Sequence, residues 1–420
     1  MLVDILTKIC VILGIILSIM YFYQIVYLIV PRFFRPKRMK GPFPQKHYAI
    51  MIAARNEEKV IGNLLDSIRQ QDYPQELMTV FVIADNCTDH TAKIAEEHGA
   101  IVYTRQNKEL IGKGYAISYL LDKIKEDYGY DEYDAFMIFD ADNVLKHDYM
   151  TQINKVAAQG YQVFSSYRNS KNFAQSWVSS GHSIWYLHDS THLNCSRMTL
   201  RVGCMVTGTG YGITRELLER LGGWNFHTLT EDLEFNNWCA INKVKIGFAY
   251  HAMLYDEQPV TLKVSWKQRT RWVQGGMQVG LKFFTKYPKG LFSGGWSSWS
   301  SFEAITLCMW GSALGGICGV LTAITTFLAG GWMGLLNALI IAFLGTYGST
   351  FLTGFLTVAF EWKKIHATPL QKILSLFTFP FYVISFLPIM VTSIFVKPVW
   401  TPIEHTEAVT AESLEEEVVQ

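Results

Sequence analysis

From Ile9 to Val30 the chain carries no charged residue. A bilayer core takes about 20 apolar residues in a helix, so this run has the length of a membrane span. A secretory leader is the competing reading. Against it, the run is longer than a typical leader core and ends in Pro31, Arg32, Phe33, Phe34 and Arg35, with no small-residue cleavage site. Five basic residues follow or close it, Arg32, Arg35, Lys37, Arg38 and Lys40, while Asp4 and Lys8 precede it. The positive-inside rule places the adjoining domain in the cytoplasm. Three further apolar runs come late: Ala304 to Leu328, Trp332 to Phe360 and Ile373 to Val396. If each crosses once, the acidic tail lies outside the cell. Pro380 and Pro388 leave open a kinked or re-entrant last segment.

The expected organisation is an N-terminal span with its basic flank (1–40), a cytoplasmic domain (41–290), three membrane helices (291–400) and an acidic tail (401–420), disordered from Thr406 to Gln420. Half of the residues are hydrophobic and 17% are charged, against about a quarter charged in soluble proteins. A net charge of +1 gives no global basic field for nucleic acid. Seven scattered cysteines without a CxxC pair read as reduced, space-filling thiols. The sequons at Asn86 and Asn194 fall in the domain placed in the cytoplasm and are expected to be unmodified.

Within 41–290 short apolar runs alternate with helical patterns. His47 to Ala54 reads as a strand, and Val60, Ile61, Leu64, Leu65 and Ile68 mark a helix over Glu57 to Gln71. Strands at Thr79 to Ala84, Ala100 to Thr104 and Ala135 to Phe139 alternate with helices at Thr91 to His98 and Tyr115 to Lys125. Such alternation predicts an α/β domain with a parallel sheet, whose ligands bind at the carboxyl ends of the strands.

Acids stand at those ends. Asp85 follows one strand, and Asp140 and Asp142 follow another. Residues two apart near a strand end point the same way, and two converging carboxylates repel unless a cation lies between them. Hard oxygen ligands select Mg²⁺ or Mn²⁺. A solvated turn is the plain alternative. Thr230-Glu231-Asp232 opens a helical stretch, and Thr230 could simply be its N-cap. Gln268, Arg271 and Trp272 share one helical face. The same stretch, with Trp266, Lys267 and Arg269, also suits a helix lying on the membrane surface near 262–286. The glycine-rich run Val206 to Gly212 lacks dinucleotide-site spacing and reads as a tight loop, with Gly208 and Thr209 beside an acceptor or in a structural turn. His182, His188 and His192 are offset by six and ten, so one helical face does not gather them into a metal site.

Taken in order, Ala53-Ala54-Arg55-Asn56-Glu57, Asp85, Asp140-Ala141-Asp142, Thr230-Glu231-Asp232 and Gln268-Arg269-Thr270-Arg271-Trp272 resemble the family 2 glycosyltransferases. More narrowly, they are similar to the membrane-integrated synthases of cellulose, hyaluronan and poly-N-acetylglucosamine. The resemblance implies a GT-A (Rossmann-like) nucleotide-sugar domain inserted between transmembrane helices of the plasma membrane. It implies that Ala53 and Glu57 frame the uridine, Asp85 bonds the base and Lys113 contacts the nucleotide. Asp140 reaches the nucleotide and, with Asp142, the metal. Gln268 and Arg271 belong to the donor site, with Arg271 matched to phosphate oxygens. Trp272 offers a ring face to an acceptor sugar. Asp232 is the candidate general base, oriented by Glu231. The implied reaction is inverting transfer from UDP-N-acetylglucosamine or UDP-glucose to a growing β-linked polysaccharide, coupled to export, with a second copy or an export partner extending the channel. Single addition to a membrane lipid, as in ceramide glucosyltransferases, is the alternative, and a non-catalytic scaffold is a distant third. Two features depart from the pattern. Ala84 precedes Asp85 where the family often has two acids, and about four spans are few for a polymer channel.

Overall fold

The computed structural model describes residues 1–397, 405 and 409–414. The N-terminal apolar run forms one helix, α1 (Leu2–Phe33). The α/β domain then begins with β1 (Tyr48–Ala54), α2 (Ile61–Arg69), β2 (Met78–Asp85), α3 (Thr91–Glu97), β3 (Ile101–Arg105), α4 (Lys113–Asp127) and β4 (Ala135–Asp140). These match the strands and helices expected from periodicity. The reason is visible in β1, whose residues alternate between two apolar layers. Met51 packs with Ile117 and Leu120 of α4, while Ile50 and Ile52 pack with Leu64 and Ile68 of α2. A strand buried on both faces reads as a continuous apolar run. Each such side chain contributes about 1.5–3 kcal/mol on burial.

The second half departs from simple alternation. It comprises β5 (Val144–Leu145), α5 (Tyr149–Ala157), β6 (Val163–Ser170), α6 (Trp177–His188), α7 (Cys195–Thr199), β7 (Tyr211–Thr214), α8 (Arg215–Leu221), α9 (Glu231–Ile241) and β8 (Ile246–Asp256). The sheet order is β3-β2-β1-β4-β7-β6-β8-β5. The first four strands are parallel, and β7 lies antiparallel between β4 and β6. The sheet is therefore mixed. Its register sets Ala53 beside Asp140 and Asp85 beside Arg105, so the strand ends that carry the acids are neighbours.

The remaining helices are α10 (Leu262–Phe283), α11 (Tyr287–Leu291), α12 (Gly295–Leu307), α13 (Met309–Glu361), α14 (Pro369–Ile384) and α15 (Phe386–Phe395). A straight helix the length of α13 would reach roughly 80 Å, far beyond a hydrocarbon core of about 30 Å. It breaks at Gly331 (φ 57°, ψ −150°). Beyond the break the chain folds back. A Cβ on Gly334 would lie 3.4 Å from the carbonyl carbon of Thr326, and the Phe327 and Trp332 rings are 5.0 Å apart. Among the described residues three stretches are long and apolar enough to cross a membrane: Leu2–Phe33, Trp310–Lys364 and Pro369–Phe395.

The last of these packs against the α/β domain. Helix α14 packs on α6, and α15 packs on α10. Both ends of the pair touch the same side of the domain: the Lys364 carbonyl accepts from Asn169 (2.9 Å) and the Val396 carbonyl from Gln274 (2.7 Å). Further on, Glu412 of the acidic tail accepts from Gln70 of the domain (3.0 Å). Residues 398–404 lie outside the described residues, as do 406–408 and 415–420 of the stretch expected to be disordered. All seven cysteines are free thiols, as their spacing implied.

Candidate active site

A cavity of about 1700 Å³ opens at the carboxyl ends of β1, β2 and β4. It is lined by Ala53, Glu57, Asp85, Lys113, Asp140, Asp142, Gly208, Glu231, Asp232, Gln268, Arg271 and Trp272. The fold thus brings five sequence clusters spread over more than 200 residues into one space. One expected residue is missing from it. Thr209 is buried, its hydroxyl accepting the Asp140 N–H (2.9 Å) and bonded to Asn143. It ties the glycine loop to the end of β4, so its role is structural. Gly208 does face the site. Its φ is +84°, and a Cβ there would come within 3.6 Å of Asp232 Oδ2.

Asp140 is ion-paired with Lys113, which also donates to the Gly208 carbonyl (2.6 Å). Just past the strand end, Asp142 is 5% exposed and accepts the Glu257 N–H at 3.0 Å. Burial alone would raise its pKa. The charges of His405, Lys171 and Arg168, with the Glu257 amide, outweigh that and hold it below the usual carboxylate range. An anionic carboxylate kept ionised in a buried pocket is the donor chemistry a hard cation requires. Among the described residues no three acidic, histidine or cysteine side chains converge tightly enough to hold a cation unaided, so a bound ion would share its positions with phosphate oxygens.

Glu231 and Asp232 open α9, where acids suit the positive end of the helix. Burial, then repulsion from Asp232, pushes Glu231 up to about 7. Burial also raises Asp232, against the pull of the Leu233 amide, Lys113 and Arg271. Thr230 stands at the N-cap position but makes no capping bond. Its side chain packs instead on α10, where a Cβ at Gly275 would lie 2.9 Å from Thr230 Cβ. The bare backbone of Gly275 lets α10 approach α9, setting Gln268, Arg271 and Trp272 opposite the two acids.

Arg269 corrects the surface-anchor expectation. It is fully buried, its guanidinium 4.5 Å from the Tyr382 ring centre and 4.8 Å from that of Phe386. It donates to the Tyr382 carbonyl (3.0 Å) and Ser385 Oγ (2.8 Å). Arg269 therefore bolts α10 to α14 and α15. Of the three histidines, His182 bonds Ser265 (2.8 Å), and the His188 and His192 rings lie tilted at 34° with centres 5.3 Å apart. Asn194 is buried, closed to modification.

Sequence reasoning missed four contributors. Arg168 pairs with Asp256, donates to the Thr207 carbonyl (2.6 Å) and lies 3.7 Å over the Tyr186 ring. Burial lifts Asp256 to about 6 even beside that arginine, with Asp142 adding to the rise. Arg105 holds Asp85 at 2.6 Å, so one oxygen of the acid expected to meet a base is already engaged. His405, from the tail, donates to Glu57 at 3.0 Å and stands 3.9 Å from Asp142. Burial opposes a proton on this imidazole, but Asp142 and Glu57 outweigh it and lift it to about 10.

Paired acids at strand ends, a basic fork and a mixed sheet of this order define a glycosyltransferase of GT-A-like fold. The fold is shared with the mannosyltransferase PcManGT from Pyrobaculum calidifontis, solved with GDP-Man and Mn²⁺: TM-score 0.55, 15% identity, over 92% of this chain and 99% of that one. Residues 44–275 match the family model "Glycosyltransferase like family 2", and the chain belongs to that family. A beta-monoglucosyldiacylglycerol synthase of Nostoc sp. is 28% identical over 268 residues, covering 60% of this chain and 53% of that protein. A poly-beta-1,6-N-acetyl-D-glucosamine synthase of Staphylococcus epidermidis is 24% identical over 245 residues, 56% of each. The chain thus spans about half the length of the curated relatives it matches.

Proposed function

We propose that this protein transfers a hexose from a UDP-sugar to a hydroxyl of a membrane lipid, inverting the anomeric centre, on the cytoplasmic face of the membrane. The observation behind it is the second half of the cavity. Past Trp272 the same space runs along α1, α13 and α15 and is lined by Leu17, Gly311, Gly315, Gly319, Leu387, Val391 and Ile394. Apolar walls suit an acyl tail, whose headgroup hydroxyl would then reach Asp232. A hydrated polysaccharide needs polar or aromatic walls along its path, and this half offers few. The diacylglycerol-named relative points the same way.

Asp142 and Asp140 would hold Mg²⁺ or Mn²⁺ together with the donor's diphosphate. When bound, that cation offsets the charge that builds on the leaving diphosphate. Arg271 supplies a planar fork to the same phosphates. Asp232, its pKa raised, takes the acceptor proton as the oxygen attacks opposite the diphosphate. Positioned proton transfer of this kind contributes about 10²–10⁴-fold. Gly208 leaves room beside that carboxylate, and Trp272 offers a ring face to the sugar.

The test is product size. Protein reconstituted in nanodiscs with diacylglycerol or ceramide and labelled UDP-glucose or UDP-N-acetylglucosamine should yield a lipid bearing one sugar. A ladder of long oligosaccharides would instead establish the polysaccharide reaction implied by the resemblance.

A further inference from the structure

We propose that the lipid acceptor carries a headgroup with several hydroxyls, as a sugar does, and that Asp189 and Trp185 form the subsite that holds it. This deepens the lipid-acceptor reading above and rests on it. Both residues line the cavity. They stand four apart at the end of α6, so they share one helical face. The Trp185 ring lies on Phe386, with centres 5.4 Å apart and planes at 25°, and is still 39% exposed. One face is covered and the other is open, a flat apolar platform for the C–H face of a sugar ring.

Asp189 sits deep in the protein yet keeps accessible surface, and the space it opens on is this cavity. Burial pushes its carboxyl up to about 6, against the pull of Arg197 and Arg168, with Glu303 adding to the rise. At neutral pH it is therefore mainly ionised and can only accept hydrogen bonds. Among the described residues one donor reaches it, Asn194 Nδ2 at 3.0 Å. Asn194 is held in that pose, because its Oδ1 accepts from Arg197 (3.2 Å) and from the Met205 N–H (2.9 Å). In an α-helix a residue five further on lies about 140° around the axis. The turn Asp189–Asn194 is π-helical, and its extra residue swings Asn194 under Asp189. The remaining lone pairs of the carboxylate call for O–H or N–H donors from whatever fills the cavity. The same turn packs on α1 and α13, which wall the apolar half, so the subsite lies where a headgroup meets its tail. From Met205, tied to Asn194, three residues lead to Gly208 beside Asp232. That stretch reaches up to roughly 10 Å, the span of a sugar ring with a hydrogen bond of about 2.8 Å at each end. A headgroup with one hydroxyl, engaged at Asp232, would leave Asp189 unmatched.

The experiment uses the full chain in nanodiscs with Mn²⁺ and labelled UDP-glucose or UDP-N-acetylglucosamine. Two acceptors that share a tail are compared, hexadecyl β-D-glucoside and hexadecanol. The glucoside should be preferred about 10-fold or more in kcat/KM, the worth of a hydrogen bond to a charged group. Asp189→Ala should bring that preference to about 2-fold or less. Asp189→Asn keeps an accepting oxygen and the contact with Asn194, and should hold an intermediate preference. Trp185→Leu, which still packs on Phe386, should lower it as well. Equal use of the two lipids by the unaltered protein overturns the subsite and leaves transfer to lipid standing. A preference that survives in both Asp189→Ala and Asp189→Asn does the same. If neither lipid takes up a sugar, the lipid-acceptor reading falls, and this proposal with it.

Discussion

Asp232 and Glu231 share a buried helix start, and their charges are unlike in consequence. Replacing Asp232 with Asn should cut turnover by about 10²–10⁴-fold while leaving UDP binding, measured by calorimetry, nearly unchanged. Comparable turnover would remove Asp232 from the base role. The pH dependence comes from the raised carboxyls. A base must be deprotonated, so kcat/KM should fall at acid pH as Asp232, its pKa raised by burial, takes up a proton. Glu231, pushed up to about 7, is neutral where Asp232 titrates, so Glu231→Gln should leave that acidic limb in place. In stability the sign is opposite. A carboxyl raised from 4.5 to about 7 favours the folded state less as pH rises through that window. The acids themselves were legible in the sequence, because each stands just past an apolar strand or at a helix start. Arg168–Asp256 and Arg105–Asp85 were not: their partners are 88 and 20 residues apart, and only the sheet register brings them together.

At the scale of elements, the contact between α9 and α10 sets the geometry of the reacting groups. Gly275→Ala should separate them, destabilising the domain by about 1–3 kcal/mol and lowering kcat, read from thermal unfolding and UDP release. Thr230→Ala in that background should recover part of both losses; no recovery would mean that the contact is not what sets the spacing. Helical phase explains both what periodicity caught here and what it missed. Gln268, Arg271 and Trp272 fall on one face, and that face does line the cavity. Arg269 is one residue, about 100°, around the helix from Gln268. The sequence could not tell whether that side meets lipid headgroups or protein, because α14 and α15 lie more than 100 residues away.

For the whole molecule, the cavity joins a polar half to an apolar half. Open space surrounds a Cβ at Gly315, so Gly315→Phe should fill the groove without disturbing the domain. The kcat/KM for a long-chain lipid acceptor should fall more than about 10-fold, with UDP affinity retained. Equal loss for a short-chain, water-soluble acceptor would show that the groove does not hold the tail. The apolar runs were plain in the sequence, but their path was not. A run of apolar residues reports that it avoids water and is silent on whether lipid or another helix covers it.

Arg269 fixes α10 to the pair α14 and α15 from the helical turn that also carries Gln268, Arg271 and Trp272. The proposed phosphate fork is therefore mechanically continuous with a segment long and apolar enough to cross a bilayer. Thinning or stretching of the host membrane would tilt that segment and shift the fork with it. Turnover should then depend on the chain length of the surrounding lipids even when the acceptor is kept the same.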